Sequence, residues 1–114
     1  MQAVELEEIL AQMDGSTQRW LEFLRVPALS LGIYRLPAGA EDTQSPHTED
    51  EIYYVLSGLA RIRVADEDRP VQAGSIVYVG AHVEHRFHTI EEDLTTLVLF
   101  APAEGSLAAQ EKSE

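Results

Sequence analysis

The alternation of apolar and polar positions divides the chain into one helix followed by a series of short strands. Leu6, Ile9, Leu10 and Met13 recur at i, i+3, i+4 and i+7, one face of an amphipathic helix. Asp14-Gly15-Ser16 supplies its stop, with Gly15 suited to a left-handed cap. Between Arg19 and Val26 the period is mixed. Trp20 and Leu24 fit a helical face, Leu21 and Phe23 fit a strand, and the segment is assigned as a strand. Beyond Pro27 the expected strands are 29–36, 52–56, 60–64, 75–79, 85–89 and 94–100. Pro37-Ala38-Gly39, Ser57-Gly58, the acidic turn Ala65-Asp66-Glu67-Asp68 and Gly74 separate them. No helical pattern lies between them to make parallel crossovers, so the fold class is all-β, an antiparallel barrel or sandwich with a short N-terminal helix.

The facing of the strands adds a requirement. Ala60, Ile62 and Val64 alternate with Arg61 and Arg63, so one face of that strand is wet. Segments 94–100 and 76–79 are apolar on both faces and need a cover beyond the barrel core. The N-terminal helix covers one, and a second copy of the chain is expected to cover the other, making a homodimer. Tyr54, Tyr78 and Phe87 are assigned to the core.

With 114 residues, 45% of them hydrophobic, the chain is sized for one domain. Residues 1–27 form the N-terminal helix and leading strand, 28–103 the barrel, and 104–114 a flexible acidic tail. No apolar run approaches the roughly 18 residues of a membrane span, and the first residues lack the pattern of a signal peptide. The absence of cysteine excludes a disulfide framework and thiolate metal sites, and accords with a cytoplasmic location. Twenty acidic residues against eight basic ones give a net charge of −12, which repels phosphate backbones and anionic membranes. Neither nucleic acid nor membrane is expected as a partner; a small-molecule ligand is.

The chemistry concentrates in two places. In Ser45-Pro46-His47-Thr48-Glu49-Asp50-Glu51, an extended chain puts His47, Glu49 and Glu51 on one side, together with Tyr53 and Val55. In Gly80-Ala81-His82-Val83-Glu84-His85, His85 shares a face with Phe87, while His88 falls on the other face and His82 belongs to the turn. A row of inward His and Glu is costly in an apolar interior unless a cation neutralises it. Two imidazoles and one carboxylate are the ligand set of a borderline divalent ion and leave positions open for substrate or oxygen. The acidic residues Glu41, Asp42, Glu49, Asp50 and Glu51 lack the alternating oxygens and central glycine of a calcium loop. Ser45 and Ser57 sit in no nucleophile elbow and beside no assignable base.

These residues resemble the cupin superfamily. Gly39 through His47, with Glu51-Ile52-Tyr53-Tyr54-Val55-Leu56-Ser57-Gly58, is similar to its first motif, in which a His-x-His pair precedes a Glu and a later Gly. Gly74 through His85 is similar to the second motif, and the two together with their flanking strands span residues 28–102. The resemblance implies a jelly-roll barrel of the double-stranded β-helix type. It also implies one divalent transition metal (iron, manganese, nickel or zinc) held by His47, Glu51 and His85. Ser45 stands where the family's first His would fall, leaving a position that Glu49 or Gln44 could fill. Gly80 and His82 replace the usual Pro and Gly of the second motif, and Thr89 an Asn that often follows. Two functions are compatible with this pattern. One is a metal-dependent enzyme of oxygenase or isomerase type, dioxygenases included, with Tyr53 and Glu49 as candidates for positioning or proton transfer. The other is a non-catalytic module that binds or senses a small molecule, with or without the metal.

Overall fold

Two long strands organise the molecule, and each reverses its buried face midway. The computed structural model describes residues 1–108. Its elements are helix α1 (Leu6–Met13) and strands β1 (Trp20–Val26), β2 (Leu29–Leu36), β3 (Asp50–Val64), β4 (Glu67–Gln72), β5 (Ile76–Val79) and β6 (His85–Ala101). All pairings are antiparallel, in the order β1-β2-β6-β3-β4, with β5 pairing the first half of β3. In β3, Glu51, Tyr53 and Val55 face inward, then Ala60 and Ile62; the parity changes across Ser57-Gly58. In β6, His85 and Phe87 face inward, then Ile90, Leu94, Thr96, Val98 and Phe100, and the parity changes around Thr89. Both crossings coincide with shifts of the β3–β6 register, which is how an inserted residue moves a strand's apolar set to the opposite side.

The sequence therefore resolves each long strand as two. Segments of opposite parity, separated by turn residues, read as separate elements, whereas the chain bends and keeps pairing. Gly58 makes the bend in β3. Its φ is +107°, and a Cβ there would lie 2.4 Å from the Asp93 carbonyl oxygen. Strand β4 replaces most of the expected acidic turn, which shrinks to Ala65-Asp66 between the paired Val64 and Glu67. Only Val71 of β4 is buried, and Pro70 is tolerated because this is an edge strand.

The barrel interior packs Leu36, Tyr53, Val55, Ile62, Phe87, Leu94, Val98 and Phe100. Outside it, Ile9 and Met13 of α1 close over Ile33, with Leu21, Phe23, Leu56 and Leu97 around them. The helix thus covers one apolar outer face, as expected. The face carrying Ile52, Tyr54, Ile76 and Tyr78 stays open, with Tyr54 40% and Tyr78 62% exposed. Their assignment to the core is corrected: both point out of the β3–β5 pair, while Phe87 lies inside. No helix among the described residues is long and apolar enough to cross a membrane.

Candidate metal centre

Folding β3 and β6 over at their bends brings together residues far apart along the ladder. Glu51 pairs across from Phe100, and His85 from Val64 at the opposite end of β3, yet their side chains meet inside the barrel. His47 arrives from the loop preceding β3, where its carbonyl accepts the His82 N–H at 2.7 Å and ties the two motif loops together. Its ring stands edge-on to Phe100, with centroids 4.7 Å apart. One ligand atom from each of His47, Glu51 and His85 lies within 4.8 Å of the other two.

Glu51 Oε1 and His85 Nε2 are buried, 3.0 Å apart, and have no aligned hydrogen-bond partner. The other nitrogen of His85 is committed, since its Nδ1–H donates to the Val83 carbonyl at 2.9 Å. Burial pulls the His85 pKa down, but Glu51 and the Val83 carbonyl outweigh it and hold it above the ordinary imidazole value. His47 shifts the other way, because burial disfavours its cation more than the Glu51 carboxylate supports it. Two buried polar atoms that face only each other, out of hydrogen-bond alignment and beside a second imidazole, are what a divalent cation would satisfy, so the donor set fits one.

Around the trio, the sequence left two choices open for the position at Ser45. Ser45 itself is exposed. Gln44 turns inward: its Oε1 accepts the Tyr53 hydroxyl at 3.0 Å and lies 3.4 Å from His47 Nε2. Glu49 does not join the trio. Its buried carboxylate accepts the Gly105 N–H at 2.7 Å, the Leu107 N–H at 3.1 Å and the Thr48 hydroxyl. Residues 104–107, expected to fray, are thereby docked; residues 109–114 of that tail lie outside the described residues.

Sequence reasoning missed several neighbours. Asp42, placed only in an acidic cluster, is buried and braces the site. It accepts from the Tyr34 hydroxyl at 2.7 Å, the Gln44 side-chain amide at 2.7 Å and the Phe87 N–H at 2.9 Å. Glu104, from beyond β6, places Oε2 3.5 Å from His47 Nδ1. Burial first, then the nearby Glu22 carboxylate, raises its pKa. Trp20 lies over Gly32, where a Cβ would meet the indole at 2.2 Å; a glycine inside a strand was the one available signal. Trp20, Tyr34, Tyr53, Phe100, His47 and Glu104 line a cavity of about 160 Å³ that also holds Gln44 and Glu51. A wider, open cleft of about 580 Å³ lies across the 42–46 loop and shares Gln44 and His85 with the site. Burial raises the Tyr53 pKa far above its usual value, reinforced by the Glu51 carboxylate, so its hydroxyl remains a donor. His88 pairs with Asp68 at 2.7 Å on the outside, and His82 occupies a turn at φ +65°.

A family model for the cupin domain matches residues 32–101, more than half of the chain. The chain is a cupin. A curated relative from Streptomyces coelicolor, described as an uncharacterized protein, is 47% identical over 104 residues, covering 91% of this cupin and 99% of the relative. Among solved structures, KdgF from Halomonas sp. is similar with a TM-score of 0.66 and 25% identity, over 73% of this chain and 76% of that one. An RmlC-like cupin from Methanocaldococcus jannaschii with a double-stranded β-helix fold has a TM-score of 0.68 at 20% identity, over 78% and 84%. The DMSP lyase DddQ from Ruegeria pomeroyi DSS-3 has a TM-score of 0.63 at 25% identity, over 67% of this chain but 39% of that one. The jelly-roll architecture of this cupin is thus shown by both sequence and fold.

Proposed function

We propose that this cupin binds one divalent transition metal, iron, manganese, nickel or zinc, through His47, Glu51 and His85. With it the protein acts as an enzyme, of oxygenase or isomerase type, on a small organic molecule in the barrel cavity. One observation carries the reading: Glu51 Oε1 and His85 Nε2 are buried, adjacent and without an aligned partner. A buried contact out of hydrogen-bond alignment offsets only part of the cost of desolvating the two groups, and a cation between them and His47 would satisfy both. A bound ion would supply Lewis-acid polarisation or an oxygen-binding centre. The chain's own contribution is placement. Trp20 and Phe100 present apolar ring surface in the cavity, set edge to face with centroids 6.1 Å apart. Tyr53 donates its one hydroxyl proton to Gln44 Oε1, which leaves its oxygen as an acceptor for a ligand donor in the cavity. Glu49, whose carboxylate is bound to the Gly105 and Leu107 amides, is assigned to holding the C-terminal segment. Among similar structures, one is named a lyase, which supports an enzyme without naming this one's substrate.

Elemental analysis of the purified protein, with His47→Ala and His85→Ala alongside, tests the site. Near-stoichiometric metal in the wild type and its loss in both variants are expected; equally little metal in all three rejects the proposal. Oxygen uptake and product analysis over small phenols, diketones and sugars with the metal-loaded protein then test turnover. Ligand binding without turnover, unchanged by metal removal, would assign the protein to the non-catalytic binding cupins instead.

A further inference from the structure

One nitrogen of each imidazole in the trio faces an oxygen outside the trio: a backbone carbonyl for His85 and, at longer range, a carboxylate from beyond the barrel motifs for His47. His85 turns Nδ1 to the Val83 carbonyl and Nε2 to Glu51. His47 turns Nε2 toward Gln44 Oε1, which also receives the Tyr53 hydroxyl, and Nδ1 toward Glu104 Oε2 at 3.5 Å. We propose that Glu104 is a positioning residue of the metal centre. Its carboxylate accepts the His47 Nδ1 proton, so that Nε2 carries the lone pair and would exchange its 3.4 Å contact with Gln44 Oε1 for the ion on binding. The inference rests on the metal-binding reading above and assigns it a residue that neither motif contains.

Several independent contacts place Glu104 for this role. Its backbone N–H donates to Ser30 Oγ at 2.9 Å, and its carbonyl accepts from Arg25 Nη2 at 2.8 Å. Glu49 fastens the next turn through Gly105 and Leu107. The segment is therefore held from three sides, by β1, β2 and the residue preceding β3, and Glu104 is half-buried in the wall of the cavity. A carboxylate on the outer nitrogen of a coordinating imidazole fixes its tautomer and raises its basicity, and its loss typically weakens metal binding 10- to 100-fold. In this reading Glu49 and Glu104 divide two tasks: the first fastens the segment, and the second orients His47.

The test is Zn(II) affinity, measured by competition with a chromophoric chelator, for wild type, His85→Ala, Glu104→Ala and Glu104→Gln. ¹⁵N imidazole NMR of the Zn(II)-loaded protein accompanies it. Glu104→Ala is expected to weaken Zn(II) binding about 10- to 100-fold. Glu104→Gln, which keeps an acceptor of the same reach, should recover part of that loss, which a purely structural role would not predict. His47 should be coordinated through Nε2, with a protonated Nδ1. Wild-type affinity in Glu104→Ala, or coordination of His47 through Nδ1, overturns the assignment while leaving the metal site standing. Zn(II) binding by the wild type no tighter than by His85→Ala overturns both.

Discussion

Replacing Glu49 by glutamine should release the C-terminal segment while leaving the barrel folded. The Glu49 carboxylate accepts two backbone donors, Gly105 N–H at 2.7 Å and Leu107 N–H at 3.1 Å, in a buried setting. A glutamine retains one acceptor oxygen and presents an NH₂ group to the other amide, so one charge-assisted bond is lost and the second weakened. Hydrogen bonds to charged groups are worth about 1.5–3 kcal/mol, which puts the change near 2 kcal/mol. At 1.4 kcal/mol per tenfold, protection of the Gly105 and Leu107 amides against hydrogen exchange should fall roughly 30-fold. The Phe87 amide, bound to Asp42 in the core at 2.9 Å, serves as the internal control and should be unaffected. Exchange at Gly105 and Leu107 that stays within about threefold of wild type would refute the latch, since even the low end of such bond energies, about 1.5 kcal/mol, corresponds to roughly tenfold. A loss of metal affinity greater than that of Glu104→Ala would show that Glu49 acts on the centre directly.

Gly58→Ala should destabilise by about 2 kcal/mol or more, because it forces a side chain to φ +107° against the Asp93 carbonyl. Thermal unfolding should show a drop of roughly 8 °C, and an unchanged midpoint would deny that the bend needs glycine. Tyrosine ionisation, followed by absorbance, should be incomplete in the native protein at pH 11, since burial together with Asp42 raises Tyr34 and burial together with Glu51 raises Tyr53. A raised folded-state pKa contributes stability that is fully present below the unfolded value near 10 and is lost as pH rises through the folded value. The protein should therefore unfold as those two ionise, whereas smooth titration of all four tyrosines with an intact fold contradicts their burial. Metal uptake should release protons near neutral pH and weaken as pH falls, because His85 is held above the ordinary imidazole value and must be neutral to coordinate. Calorimetry in buffers of different ionisation enthalpy measures this, and zero proton release would argue against His85 as a ligand. The homodimer expected from the two-sided apolar strands should appear in light scattering as twice the 12.7 kDa chain mass, with Tyr78→Lys reducing it to the monomer. A monomeric wild type removes that expectation.

Local information was sufficient for much of this protein. The helix at Leu6–Met13, the strand character of 29–36 and the inward parity of Glu51 and Tyr53 follow from spacing alone, since the side-chain period of an element is a property of its backbone. The two motifs named His47, Glu51 and His85, whose ligand atoms the fold brings within 4.8 Å of one another. Three features needed the tertiary structure. The continuity of β3 and β6 through their bends was hidden because a register shift reverses parity, which looks like the end of a strand. Strand β4 was hidden because an edge strand with one buried residue carries almost no hydrophobic pattern. The surroundings of the site were hidden because Asp42, Glu49 and Glu104 have the same composition and charge whether they are solvated, structural or directed at a ligand. For a carboxylate, what decides between these is which donors lie within about 3 Å, and those donors come from segments tens of residues away. Sequence determined which three residues could hold a metal; the folded chain decided that Glu49 fastens the tail and that Glu104 faces His47.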